Sequence, residues 1–86
     1  MSRWIVDYES ALQAWDTAES PSVDRLVALL EWVLGVTEHG PPDDYVAVAG
    51  QEDLYISLVV GVDVTVTYLA LSYERRMMIR RIAELR

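Results

Sequence analysis

Two runs of apolar and β-branched residues, separated by one glycine, dominate the hydrophobic pattern between residues 54 and 70. Such residues favour strands, so the pattern predicts a β-hairpin. A three-residue turn at residues 61–63 would pair Leu58 with Val66 and place every large side chain on one face. A two-residue turn would pair Leu58 with Thr65 and mix the two faces. Because side chains alternate along a strand, we expect the three-residue turn.

A lone hairpin is marginally stable in water, so another element has to cover its apolar face. Alternation predicts a first strand over residues 3–8, and a helical period follows from Glu9. A second helix is predicted over residues 21–34, with Ser20 as its N-terminal cap and Gly35 as its left-handed C-terminal cap. The helix residues expected to cover the hairpin are Leu26, Val27, Leu30 and Val33. The hairpin face that they would cover consists of Ile56, Leu58, Val64 and Val66.

The remaining segments complete a small α+β domain. Residues 36–44 have no period and contain two prolines, so we expect a loop there. Residues 45–49 can form a short strand beside the hairpin, which gives a meander with the first strand as a further member. Residues 72–86 are ambiguous. Their apolar positions share one side of a helical wheel but alternate poorly as a strand, so periodicity alone favours a helix.

Length and composition limit the possible classes of protein. The 86 residues are enough for one domain with a single core. The chain contains no cysteine, which excludes a disulfide framework and thiolate chemistry. Its N-terminus lacks an apolar signal core, and its apolar runs are too short to span a membrane. We therefore expect a cytoplasmic protein that does not bind membranes.

Charge is distributed unevenly along the chain. The net charge is −7, but residues 1–73 hold twelve acids against two arginines, whereas residues 74–86 hold five arginines against two glutamates. An acidic surface repels phosphate, so nucleic acid or the ribosome could be bound only through the C-terminal arginines. These candidate binding residues are Arg75, Arg76, Arg80, Arg81 and Arg86. They could hold phosphate or an acidic protein, or could form a salt-bridged edge that offsets the acidity of the chain.

No metal or cofactor site is predicted. The single histidine, His39, lies near Glu38, Asp43 and Asp44, which could suggest a site for a hard cation. One histidine and exposed acids on a proline turn are usually solvated, so we expect no metal there. The residue types needed for a phosphate loop or a Ser-His-Asp site do not occur in a recognisable pattern. Trp15, Trp32 and the methionines at positions 77 and 78 are expected in the core.

Four segments resemble a known family: WIVDY at residues 4–8, ALLEWVLGVTEHGPP at 28–42, DLYISLVVGVDVTVTYLAL at 53–71 and ERRMMIRRI at 74–82. In this order they resemble the RelE/ParE toxin superfamily of bacterial toxin-antitoxin systems over nearly the whole chain. The resemblance implies one domain over residues 1–86, with the order β-α-α-β-β-β and one sheet covered by helices. It also implies that residues 77–82 form a strand, and on this point we follow the resemblance rather than the periodicity.

The resemblance also sets expectations about activity. Ribosome-dependent members carry basic residues on the strands that flank the hairpin turn, where this chain has Ser57, Val59, Val64 and Val66. Arg80 or Arg81 could take the place of the family's basic residue on the last strand, but the aromatic residue beyond it is missing. Cleavage of RNA needs an activated 2′-hydroxyl and cations for the developing phosphate charge. We therefore expect mRNA cleavage to be weak or lost, and assign no catalytic residue.

Two classes of function remain open at this point. The first is a toxin of the family, which acts on ribosome-bound RNA or another target and is bound by an antitoxin-like protein. The second is a non-catalytic interaction module, which forms a homodimer or binds another protein and is unrelated to toxicity. The missing site residues favour protein binding as the mechanism, and the resemblance favours a toxin-antitoxin setting.

Overall fold

The computed structural model describes residues 3–85, which form one mixed sheet and two helices. The elements are β1 (Ile5–Asp7), α1 (Glu9–Glu19), α2 (Val23–His39), β2 (Tyr45–Ala47), β3 (Leu54–Val59), β4 (Val64–Leu71) and β5 (Arg76–Glu84). The strand order is β1-β5-β4-β3-β2, with β1 parallel to β5 and the other neighbours antiparallel. The α+β architecture and the order of elements are confirmed. No helix within residues 3–85 is long and apolar enough to cross a bilayer.

The hairpin of β3 and β4 has a different register from the one expected. Val59 pairs with Val64, so that the loop has four residues, and Leu58 lies opposite Thr65. The predicted three-residue turn is therefore wrong, because it assumed that every polar side chain would leave the apolar face. Ser57 instead lies inside the protein, where its hydroxyl oxygen is 2.8 Å from that of Tyr68. A buried serine is tolerated once its hydroxyl group has a hydrogen-bond partner.

Both ends of α2 also differ from the prediction. The helix is capped by Ser22, whose side chain accepts a hydrogen bond from a main-chain N–H of the first turn. Ser20 instead ends α1, in the left-handed conformation with a φ of 45°. Gly35 stays helical, and Gly40 ends the helix with a φ of 85°. A glycine inside a helix costs only about 1 kcal/mol relative to alanine, and burial of Val36 just beyond it outweighs that cost.

The core lies between the helices and one face of the sheet. Of the four α2 residues expected to cover the hairpin, Val33 is buried and Leu26 partly so, whereas Val27 and Leu30 are 47% and 44% exposed. Ile56 and Leu58 are also exposed, because a shift of one residue in the hairpin register exchanges the two faces of a strand. The buried residues of the core are Ala11, Trp15, Leu29, Val33, Val36, Val59, Val64, Val66, Tyr68, Ala70, Met77, Ile79 and Ile82.

Candidate interaction surface on the C-terminal strand

Residues 76–84 form a strand, as the resemblance implied, and a β-bulge in it explains the helical periodicity. Tyr68 of β4 pairs with Ile79, and Thr67 pairs with Arg81. Arg80 therefore has no partner in the ladder. One extra residue changes the spacing between inward-facing positions from two to three. Ile79 and Ile82 are therefore both buried, a spacing that also fits one side of a helix.

The bulge places two neighbouring arginines at the surface. Arg80 and Arg81 are both exposed, whereas strict alternation would have turned one of them towards the core. Within residues 3–85, neither guanidinium group has a carboxylate partner within salt-bridge distance. The same holds for Arg75, which is exposed in the turn before β5 with a φ of 50°. These three exposed arginines of β5 and its preceding turn are here called the arginine edge.

The other two candidate arginines stand apart from this edge. Arg76 Nε lies 3.1 Å from Asp7 Oδ2 on the neighbouring strand β1. The contact is an ion pair rather than an aligned hydrogen bond, since Nε has no hydrogen-bond partner in the described part of the chain. Arg86 lies outside the described residues. The structure therefore leaves Arg75, Arg80 and Arg81 exposed along β5 and the turn before it, whereas Arg76 is paired with Asp7.

The face of the sheet turned away from the helices is here called the open face, and its β3 and β4 positions are apolar or hydroxylic. One row across it runs from Arg81 through Thr67 and Ile56 to Val46, as the strand registers show. Val46 is 68% exposed and Ile56 is 36% exposed. The next row holds Leu58, which is opposite Thr65 on β4. Arg81 is thus a cation beside two rows that consist of hydrocarbon and hydroxyl groups.

The four positions at which basic residues were sought do not lie on this face. Ser57, Val59, Val64 and Val66 are all buried and face the helices, so their lack of charge follows from their place in the core. The accessible positions beside the hairpin turn are one residue away along each strand. They are Ile56, Leu58, Thr65 and Thr67, and none of them is basic either. β3 and β4 therefore carry no arginine or lysine on either face.

Sequence reasoning missed the buried hydroxyl pair of Ser57 and Tyr68. Tyr68 is 1% exposed, and its ring centroid lies 5.7 Å from that of Trp32 and 6.0 Å from that of Tyr55. Burial raises the pKa of the Tyr68 phenol above its ordinary value of 10.0, and the hydrogen bond with Ser57 offsets part of this rise. The negative charge of Asp44 raises the pKa further. A phenol that solvent cannot reach stabilises the fold rather than transferring protons to a substrate.

The histidine loop does not form a compact site. The His39 side chain is 80% exposed, and its Nε2 atom lies 3.7 Å from Glu38 Oε2. An open groove of about 390 Å³ runs beside it between Trp32 and Asp43. Within residues 3–85, no three histidine, cysteine or carboxylate side chains are grouped as metal ligands. The charged groups of this loop are therefore best described as solvated.

The fold is shared with a bacterial toxin. A crystal structure of the isolated E. coli RelE toxin matches with a TM-score of 0.70 and 14% identity, covering 96% of this chain and 85% of that one. A structure of free E. coli RelE with two arginine-to-alanine mutations matches with a TM-score of 0.69 and 14% identity, covering 96% and 84%. No protein-family model and no curated protein sequence matches the chain. The RelE-like fold implied by the resemblance is confirmed.

Proposed function

We propose that this chain is a RelE-like protein of a toxin-antitoxin system, which acts by binding a protein partner and has weak or no mRNA-cleaving activity. The observation that carries the proposal is the composition of the open face. The chain has a RelE-like fold, yet β3 and β4 contribute no arginine or lysine to the open face. The fold supports the toxin-antitoxin setting, and the side chains support binding without cleavage.

Cleavage of RNA would require groups that this surface does not bring together. A base must take a proton from the 2′-hydroxyl, and several cations must stabilise the charge that develops on the phosphate. In the row of Arg81 the next residues are Thr67 and Ile56. Neither side chain can act as a base at neutral pH or supply a positive charge. His39 lies at the end of α2, which packs on the opposite face, and Tyr68 is buried. One or two arginines can bind an anion, but they supply only part of this chemistry.

The arginine edge is better suited to an acidic protein. Its guanidinium groups have no carboxylate partners within residues 3–85, so they can meet carboxylates of another chain without breaking existing pairs. The remainder of the protein is acidic and would repel such a partner. Charges arranged in this way steer the encounter and fix the orientation of a complex more than they set its final affinity. The exposed apolar side chains of the open face can then contribute contact area.

The enzymatic part of the proposal can be tested with a translating ribosome. Purified protein should leave mRNA intact while the ribosome translates it, and the variant Arg81→Ala should behave identically. Translation-dependent cleavage that disappears in Arg81→Ala would overturn the loss of activity. Arg76→Ala is the matched control, because Arg76 belongs to the same strand but is already paired with Asp7.

The binding part requires a partner, and the first to test is a small acidic protein encoded beside this one. Replacing Arg80 and Arg81 by glutamine should slow association several-fold at low salt and reduce its salt dependence. Arg76→Gln should change the association rate much less. A complex that forms at the same rate in all three proteins would show that the arginine edge has no part in binding.

A further inference from the structure

A line of apolar side chains on α2 does not reach the core. It consists of Val23, Val27, Leu30 and Leu34, which are 73%, 47%, 44% and 56% exposed. Their spacing of four, three and four residues places them on one side of a helix, in the pattern by which two helices pack together. Val23 and Leu34 are eleven residues apart on the helix, so the line extends for about 16 Å. This surface is here called the α2 seam.

Acidic residues run along one border of the α2 seam. Asp24, Glu31 and Glu38 are exposed and seven residues apart, each directly following a position of the seam or of its continuation. Residues seven apart lie nearly above one another on a helix, so the three carboxylates form a row parallel to the seam. The one arginine of α2, Arg25, is turned away towards β5, where its Nη1 lies 2.8 Å from Glu84 Oε1.

The other border of the α2 seam opens into a groove between the two helices. The groove has a volume of about 350 Å³, and its apolar lining comes from Tyr8, Leu12 and Leu26. Its polar lining includes Glu9 and Asp16, both exposed on α1. The apolar surface of α2 is therefore bordered by carboxylates on both sides, and no arginine or lysine lines this groove.

We infer that the α2 seam and its groove bind an amphipathic helix of another protein, with arginines or lysines flanking the apolar stripe of that helix. The apolar line supplies contact area, and the two acidic borders select the charge of the occupant. A second copy of this chain is disfavoured, because packing two seams together would bring their acidic rows close to each other. The inference does not depend on the toxin-antitoxin assignment, since it rests only on the surface of the helices.

Two designed peptides of equal length can test the inference on the full chain. Both carry the same heptad seam of leucines, flanked in one peptide by arginines and in the other by glutamates. The arginine-flanked peptide should bind at least about tenfold more tightly, because opposite charges attract across the borders of the seam. Titration calorimetry gives the two affinities, and sedimentation of the protein alone gives its oligomeric state. Equal binding of both peptides would overturn the inference.

Charge reversal provides the sharper comparison. In Asp24→Arg/Glu31→Arg/Glu38→Arg the preference should invert towards the glutamate-flanked peptide. The control Asp43→Arg/Glu52→Arg/Glu74→Arg makes the same change in net charge at exposed sites outside the seam, and should keep the original preference. If both triple variants lose the preference equally, binding follows net charge and the inference fails.

A last variant separates packing from charge attraction. Leu30→Ser/Leu34→Ser removes apolar contacts from exposed positions, so the fold should remain and circular dichroism can confirm that it does. Its affinity for the arginine-flanked peptide should fall at least about tenfold, as expected when helix seams lose two leucines. Unchanged affinity would mean that the apolar line is not the contact. If the unmodified protein forms a dimer and this variant is monomeric, the occupant of the seam is a second copy of the chain. That result would also overturn the inference.

Discussion

The hydroxyl groups of Ser57 and Tyr68 lie 2.8 Å apart in the interior, on neighbouring strands of the hairpin. Each supplies the hydrogen-bond partner that the other needs, since both side chains are almost completely buried. This contact allows a serine to occupy the buried row of β3. It thereby stabilises the register that turns Ile56 and Leu58 to the open face.

Mutating either hydroxyl should therefore destabilise the fold. Tyr68→Phe or Ser57→Ala alone should lower the free energy of unfolding by about 1–3 kcal/mol, because each leaves the other group buried without a partner. The double mutant should lose less than the sum of the two single losses, since no orphaned hydroxyl then remains. Urea unfolding of the four proteins gives the coupling energy. Strictly additive losses would show that the two hydroxyls do not depend on each other.

Alkaline pH should weaken the fold through Tyr68. Burial raises the pKa of this phenol above 10.0, so above that pH the unfolded chain releases its proton before the folded chain does. The Tyr68 contribution to stability is complete below the unfolded pKa and is lost as pH rises through the folded pKa. Unfolding measured from pH 8 upwards should show a fall above about pH 10, and Tyr68→Phe should make that fall shallower. A fall of the same slope in both proteins would contradict this assignment.

Two adjacent leucines on α2 should respond differently to truncation. Leu29 is fully buried, so Leu29→Ala should cost about 2–5 kcal/mol of stability through lost contacts and a cavity. Leu30 points to the α2 seam and is 44% exposed, so Leu30→Ala should cost less than about 1 kcal/mol. Denaturant unfolding of the two variants is sufficient. Similar losses would mean that the rotation of α2 about its axis differs from the one described.

The two ion pairs of β5 should contribute unequally to stability. Glu84 has a side-chain exposure of 11% and pairs with Arg25, whereas Asp7 is 46% exposed and pairs with Arg76. Arg25→Gln leaves a largely buried carboxylate without its partner and should cost about 1–3 kcal/mol. Arg76→Gln breaks a solvent-exposed pair and should cost less than about 1 kcal/mol. Thermal unfolding at low and high salt compares them, and a larger loss for Arg76→Gln would reverse this ranking.

Much of the architecture was present in the local pattern of the sequence. The period of two in residues 54–70 predicted the hairpin, and the stripe of apolar residues beginning near residue 23 predicted α2. The helical period after Glu9 predicted α1 in the same way. These features are local, because the spacing of apolar residues over one or two turns, or over a few strand positions, selects the element that can bury them. The composition likewise excluded thiolate chemistry and placed the cations at the C-terminal end.

What only the tertiary structure decided was which face of each element is buried. The hydrogen bond of Ser57 with Tyr68 favours a register that local pattern disfavoured, and this register sends Ile56 and Leu58 to solvent. The bulge at Arg80 gives β5 the spacing of a helix, although its pairing with β4 makes it a strand. The rotation of α2 buries Leu29 and exposes Leu30. In each case several arrangements satisfy the local pattern, and contacts between residues distant in sequence select one of them.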